Sequence, residues 1–587
     1  MTSGEEPLLY RRPSSDQADQ QEEEDALLTG ERTQKQKTRG RRFWREVGLF
    51  TWALIATAVV VILAVVYHKE RTGKDGGHSP SGKRNLIMMI SDGMGPTSLA
   101  MTRSYRQYQY GLPWSEYLVL DSHLIGSSRT RSTSSLVTDS AAGATAFSCG
   151  FKSYNGAIAV LPDHSPCGTV LEAAKKAGYM TGLVVTTRIT DATPACFAAH
   201  VNMRMEEDRI AEQLIGEYPL GRVVDVMLGA GRCHFLPNTT NGSCREDDRD
   251  IIQAAKEKGF AYVGDRSGFD KLKAGSAVDL PLLGLFANED IPYEIDRRFQ
   301  GDTYPSLDEM ARTALKVLSA ATKNSDKGFF LMIEGSRIDH AGHANDPAAQ
   351  VHEVLAYDAA FASVLEFLEK DDVPGVMVST SDHETGGLAV ARQLHFTYPE
   401  YLWYPGVLAN VSHSAEHLSR EYFNYRQAHP GKDVTPWVQE AVKNGLGISD
   451  ASDKEIMLLV DHPEIAPYTF ADMVSRRAQT GWTTHGHSGV DVNIYASSPK
   501  DANTLIGNHE NTEVGDFLRS YLDVDVTAIT KELKEKGTLF DSMDKDGRSI
   551  SWMGRLPEEG ERLDGQDHLD HYSGDFKKHK RCEICAL

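Results

Sequence analysis

Leu86-Ile87-Met88-Met89-Ile90, followed at once by Ser91 and Asp92, is the stretch on which the fold turns. Five apolar residues with no polar alternation suit a strand buried on both faces, as in a parallel sheet covered by helices. The same pattern recurs at Leu183-Val184-Val185, Val223-Val224-Asp225-Val226-Met227-Leu228, Phe329-Phe330-Leu331-Met332-Ile333 and Val376-Met377-Val378. Helical patterns over 168–178 and 307–318 lie between these runs. The expected class is α/β: a three-layer αβα sandwich with a large, mostly parallel sheet.

Such sheets bind ligands at the carboxyl ends of their strands. Four of the runs are followed, at once or within a few residues, by polar side chains: Asp92, then Asp191 and Thr193, then Glu334 and Asp339, then Asp382 and His383. One acid at a strand end is ordinarily a helix cap or a turn residue. Four strand ends that carry acids and histidines point to a site. Asp339 and His343 are four residues apart, so one helical turn puts both on one face, and carboxylate with imidazole suits zinc. Asp382-His383 repeats that pair. Thr484-His485-Gly486-His487 adds two imidazoles in a glycine-flanked loop, and spacing leaves open which of them is a ligand.

Asp139 and Ser140 open a small-residue segment, Ala141-Ala142-Gly143-Ala144-Thr145-Ala146. Both residue types favour a helix N-cap. Ser140 also reads as a nucleophile at a helix N-terminus, where backbone N–H groups favour an anion. No Gly-x-Ser-x-Gly elbow surrounds it. Its hydroxyl therefore needs another activator, and a zinc ion can lower its pKa.

The chain has 587 residues and a formal net charge of −21, from 83 Asp+Glu against 62 Lys+Arg. This balance argues against a nucleic-acid binder, which needs a basic face. An anionic substrate would require a local cation to overcome the acidic field.

Residues 47–67 carry no charge over a length that spans one bilayer core, and Arg32, Lys35, Lys37, Arg39, Arg41, Arg42 and Arg45 crowd the N-terminal flank. The positive-inside rule then gives a single transmembrane helix at 47–67, a cytosolic tail at 1–46, and the rest of the chain in a lumen or outside the cell. The tail carries dileucine-type signals at Glu23-Glu24-Asp25-Ala26-Leu27-Leu28 and Glu5-Glu6-Pro7-Leu8-Leu9, of the kind a clathrin-type sorting adaptor reads. Residues 68–82 form a stalk, and a polar extension runs from 536 to 587. Glycosylation sequons start at Asn238, Asn241 and Asn410, and all seven cysteines lie beyond the span. Cys233 with Cys244 and Cys149 with Cys167 are the candidate disulfides; Cys582 and Cys585, near the end, are open to pairing, to staying free or to removal, and spacing does not fix the connectivity. The odd count leaves at least one thiol over, for which Cys196, in an apolar context, is the candidate.

The linked motifs at Asp92-Gly93-Met94-Gly95, Asp139-Ser140-Ala141, Asp191-Ala192-Thr193-Pro194-Ala195, Glu334 through Asp339 to His343, Asp382-His383-Glu384-Thr385-Gly386-Gly387 and His487-Ser488-Gly489 resemble, in order, those of the alkaline phosphatase family. With the tail and span, the chain looks like the fungal vacuolar members. The resemblance covers 83–535 and implies a homodimeric catalytic domain with an accessory insertion at about 385–480. It implies hydrolysis of phosphate monoesters with broad specificity, through a phosphorylated Ser140, with Arg204 gripping phosphate. It implies two zinc ions, one on Asp339, His343 and His487, the other on Asp92, Asp382 and His383 beside Ser140. It also implies magnesium on Asp92, Asp191, Thr193 and Glu334, and a vacuole-membrane protein with its catalytic domain in the lumen. Phosphodiesterases and sulfatases of the same superfamily are the nearest alternatives; a catalytically dead binding protein would have lost some of these ligands.

Overall fold

The computed structural model describes residues 82–543 and 549–556, with isolated positions between Trp44 and Thr57. The tail expected to be cytosolic, apart from Trp44, most of the expected span and stalk, and the end of the polar extension lie outside the described residues. Among the described residues no helix is long and apolar enough to cross a membrane. The chain divides into two units, 1–78 and 79–587, and the sheet and the candidate site lie in the second.

Ten strands make one sheet: β1 (Asn85–Ile90), β2 (Leu124–Arg129), β3 (Met180–Arg188), β4 (Val226–Ala230), β5 (Ala261–Val263), β6 (Leu282–Leu285), β7 (Phe329–Glu334), β8 (Gly375–Thr380), β11 (Val492–Ala496) and β12 (Gly507–Glu510). Between β8 and β11 in the chain, β9 (Glu384–Thr385) and β10 (His487–Ser488) pair with each other outside that sheet. The sheet order is β12-β2-β11-β8-β1-β7-β3-β4-β6-β5. All pairings are parallel except those of β11, which runs against both β8 and β2, so the sheet is mixed by one strand.

The two-residue period of each strand feeds a separate core on each side. Leu86, Met88 and Ile90 pack with Phe147, Leu171, Phe197 and Leu518 on one face. Ile87 and Met89 pack with Leu315, Leu318, Tyr357 and Phe361 on the other. Continuous apolar runs are thus what a strand between two helical layers requires. The helix Leu307–Ala321 starts with a capping box between Ser306 and Glu309, and Val170–Lys176 with another between Thr169 and Glu172. Each satisfies amide groups that a helix start leaves without partners.

A third core, built around Leu408, Leu418, Tyr422, Val438, Leu459, Phe470 and Val474, belongs to a helical segment between β9 and β10 and packs on Met101, Tyr105, Ile295 and Val351. Cys149–Cys167 and Cys233–Cys244 form disulfides, and Cys196 is buried and free. The tail beyond 536 is not polar throughout its described part. Trp552 is buried against His200 and Tyr218, and the Met553 carbonyl accepts from the Asn202 amide at 2.9 Å.

Candidate metal centre and active site

The candidate residues converge at the carboxyl end of the central strands. Asp92 follows β1, Glu334 ends β7, and Asp382 and His383 follow β8. Asp339 and His343 lie on the helix Arg337–His343, which starts three residues after β7. His487 begins β10. Close packing at this end needs glycine. A Cβ at Gly93, whose φ is +75°, would lie 2.5 Å from the Asp339 Cα.

Two sets of three donors form. In the first, His343 Nε2 lies 3.3 Å from Asp339 Oδ2 and 3.2 Å from His487 Nε2, and His487 Nε2 lies 3.6 Å from Asp339 Oδ1. Donors on a tetrahedral zinc, with bonds of about 2.0–2.1 Å, sit about 3.3–3.4 Å apart. In the second, His383 Nε2 lies 3.2 Å from Asp382 Oδ2 and 3.5 Å from Asp92 Oδ1. Ser140 Oγ stands 3.1 Å from the same His383 nitrogen. The rings of His383 and His487 stack with centroids 3.5 Å apart, so the two sets adjoin.

These residues fit divalent cations on evidence beyond spacing. Asp92 Oδ1 and Asp382 Oδ2 are buried and have no hydrogen-bond donor. Burial, then the charges of Asp382, Asp339, Glu334 and Asp191, pushes the Asp92 carboxyl well above the usual range. Burial likewise raises Glu334 to about 8, despite its bond from Ser336 Oγ at 2.7 Å. So many inward carboxylates stay ionised together only if a cation balances them. The imidazoles divide: Asp339 raises His343 to about 9, whereas burial and the His383 charge lower His487 to about 3. Burial raises Asp339, but His343 overrides it and holds that carboxyl well below the ordinary value.

Asp139 is the N-cap of the helix Ser140–Cys149, accepting from the Ala142 amide at 2.9 Å, and it also accepts from the Gly156 amide at 2.8 Å. The capping role therefore falls to Asp139, and the Ser140 hydroxyl faces His383. Arg204 donates to Asp139 Oδ2 at 3.3 Å and to Asp191 Oδ1 at 3.0 Å.

The third candidate set is looser. Thr193 Oγ1 donates to Asp92 Oδ2 at 3.3 Å, which brings Thr193 beside the carboxylate that also faces His383. Asp191, however, is held by two guanidiniums, with Arg188 Nη2 at 3.2 Å from Oδ2. Burial raises its pKa, but the two arginines outweigh that and keep it ionised. Arg188 in turn bonds Glu207 and Asp290.

Several contacting residues carry no signal in the spacing. Thr385 Oγ1 donates to Asp339 Oδ1 and lies 3.2 Å from His383 Nδ1, so one hydroxyl touches both sets. The Thr138 carbonyl faces His487 Nδ1 at 2.8 Å, and the His485 carbonyl faces His343 Nδ1. Each leaves Nε2 as the inward nitrogen. His485, the alternative to His487, points its own Nδ1 at the His343 carbonyl, 2.8 Å away, and its ring packs on Tyr468. Thr385 was within reach of sequence reading, since it lies two residues from His383 in the same motif.

A two-cluster centre of acids and imidazoles beside a serine, at the strand ends of a large mixed α/β sheet, defines a metal-dependent hydrolase. The alkaline phosphatase family model matches residues 83–524, and the chain belongs to that family. It is 55% identical over 476 residues to the repressible alkaline phosphatase of Saccharomyces cerevisiae, a match covering 77% of this chain and 84% of that protein. Among solved structures, the Thermus thermophilus alkaline phosphatase is 30% identical with a TM-score of 0.65, covering 77% of this chain and 95% of its own. A mutant alkaline phosphatase of the Antarctic bacterium TAB5 has Mg bound in its M3 site; it is 26% identical with a TM-score of 0.51, covering 75% of this chain and 98% of its own.

Proposed function

We propose that the chain hydrolyses phosphate monoesters to an alcohol and inorganic phosphate, with Ser140 as the residue phosphorylated on the way. The observation that carries this reading is Ser140 Oγ at 3.1 Å from His383 Nε2, within the second donor set and at the N-terminus of a helix. In this reading Asp339, His343 and His487 hold one zinc, and Asp92, Asp382 and His383 the other. Asp92, Thr193, Glu334 and Asp191 hold magnesium, since an all-oxygen donor set suits a hard ion. When bound, the ions supply Lewis-acid stabilisation of the attacking and leaving oxygens.

The chain's own residues do the rest. Ser140 Oγ attacks phosphorus in line with the ester oxygen, the P–O bond to the alcohol breaks, and water then cleaves the phosphoserine. The helix that begins at Ser140 directs its free N–H groups at the phosphoryl oxygens. Arg204 exchanges part of its pairing with Asp139 and Asp191 for a two-pronged contact to phosphate. Asp139 stays with the backbone as a cap, which fixes where Ser140 points.

The same reading makes the chain a single-pass type II protein of the vacuole membrane, anchored by 47–67, with a lumenal, glycosylated, homodimeric catalytic domain and a tail read by a clathrin-type adaptor. Asn238, Asn241 and Asn410 are exposed, as glycan acceptors must be. Imaging fusions with and without Leu27 and Leu28 tests the sorting; identical distributions rule the signal out.

Ser140→Ala tests the chemistry. The variant should lose at least about 10³-fold in kcat on a nitrophenyl monoester, as a removed nucleophile does, while keeping its metal content. Full turnover in a metal-replete variant overturns the assignment.

A further inference from the structure

A second kind of donor cluster lies away from the candidate active site. Asp296, His413 and His417 bring one ligand atom each to within 4.8 Å of one another. Asp296 belongs to the short helix Glu294–Arg297 of the α/β body. His413 and His417 flank the start of the helix Ala415–Ala428, in the helical segment between β9 and β10. Their rings stack with centroids 4.3 Å apart and an 18° tilt. His413 Nδ1 lies 2.9 Å from Asp296 Oδ1, which also accepts from the Ser414 amide at 3.2 Å. Asp296 is buried, and both histidines are partly exposed. The cluster is thus closed on the body side and open on the solvent side.

We propose that Asp296, His413 and His417 form a further divalent-metal site, suited to zinc, that clips the helical segment between β9 and β10 to the α/β body. The donor set of one carboxylate and two imidazoles is that of the Asp339, His343 and His487 set, and a pair of histidines four residues apart is a recurring zinc arrangement. A hydrogen bond from His413 to Asp296 accounts for one imidazole only. It leaves no reason for a second ring to stack against the first beside the same buried carboxylate, where two protonated rings would repel. A cation takes the place of the proton shared by His413 Nδ1 and Asp296 Oδ1. A turn of the partly exposed His417 ring draws its donor, already within 4.8 Å of the other two, towards the roughly 3.3 Å spacing of tetrahedral donors. Arg420, whose Nη2 lies 3.4 Å from His417 Nδ1, is exposed and moves out to solvent.

The clip bears on the active site through the first turn of the same helix. Glu416 Oε2 accepts from Arg337 Nη2 at 2.6 Å, and the Ala415 amide donates to Asp346 Oδ2 at 2.8 Å. Arg337 opens the helix that carries Asp339 and His343, and Asp346 caps the next helix, Pro347–Lys370. A cation at Asp296 therefore fixes the segment that braces both ends of the Asp339–His343 element.

The test uses the untagged full-length protein and zinc alone as probe. Wild type and His417→Ala are dialysed against the same micromolar zinc, and bound metal is counted per chain by mass spectrometry. The proposal expects the variant to hold one zinc equivalent less while retaining phosphatase activity. Equal zinc content in the two proteins overturns it, with Asp296 and His413 then simply a hydrogen-bonded pair. Should His417→Ala not fold, zinc-edge anomalous diffraction from wild-type crystals decides: a peak within bonding distance of Asp296, His413 and His417 upholds the site, and its absence in zinc-soaked crystals refutes it.

Discussion

Gly143→Ala separates stability from catalysis in one substitution. Gly143 sits one turn into the helix Ser140–Cys149, with its face against Asp382, and a Cβ there would lie 2.9 Å from the Asp382 Cβ. Carbon atoms in contact prefer about 3.5–4.0 Å, so the helix must withdraw by about 0.6–1 Å or Asp382 must turn. Alanine is the better helix former by about 1 kcal/mol. Overpacking a tight contact costs about 1–3 kcal/mol. The two nearly offset, and stability should fall by no more than about 2 kcal/mol. Activity has no such offset. Ser140, the proposed nucleophile, rides on the same helix, and displacing a reacting group by about 1 Å costs on the order of 10²-fold in rate. The expected outcome is a kcat on a nitrophenyl monoester lowered by about 30- to 100-fold, beside a thermal midpoint within a few degrees of wild type. A kcat within twofold of wild type would show that the Ser140–Asp382 spacing does not matter, and the reasoning from close approach would fail.

Thr385→Val removes the hydroxyl that touches Asp339 and His383 while keeping its shape. Metal affinity or kcat should fall by about 10- to 100-fold, read by titrating a metal-depleted sample back to activity; unchanged values in both would make the hydroxyl incidental. Glu353→Gln addresses pH. Burial raises Glu353 from 4.5 to about 7, although its carboxylate accepts from the Glu294 amide at 2.6 Å. An acid raised on folding contributes stability that is complete below about pH 4.5 and is lost as pH climbs through about 7. The loss is at most about 3 kcal/mol. The thermal midpoint of the glutamine variant should therefore decline less than that of wild type between pH 5 and pH 8, and parallel declines would rule out Glu353 as the source.

Much of the sheet could be read from the chain because its strands are buried on both faces, which leaves short apolar runs such as Phe329-Phe330-Leu331-Met332-Ile333, too brief for a buried helix. The acids after those runs stand out for the same reason: the middles of β1, β7 and β8 carry no charged side chain. β2 gave no such signal. Leu124–Arg129 is only partly buried, near the edge of the sheet, so nothing in its composition marks it as a strand. Nor did the chain reveal which of His485 and His487 faces inward. They flank Gly486, and the choice is made by the Thr138 carbonyl, which faces His487, and the His343 carbonyl, which faces His485; no spacing encodes either. Asp191 read as one acid among several; Arg188 is only three residues away in the chain, but the second guanidinium, Arg204, reaches it through tertiary packing. Trp552 was hidden by the polar residues around it, since a single ring docking on His200 leaves no periodic trace.

The donors of the two metal sets run from Asp92, just past β1, to His487, in a strand that follows the whole helical segment after β9. A nascent chain emerging from the ribosome therefore holds an incomplete chelator for most of its synthesis, with imidazole and carboxylate groups able to grip the wrong ion. Selecting the right one has to wait until translation is nearly finished.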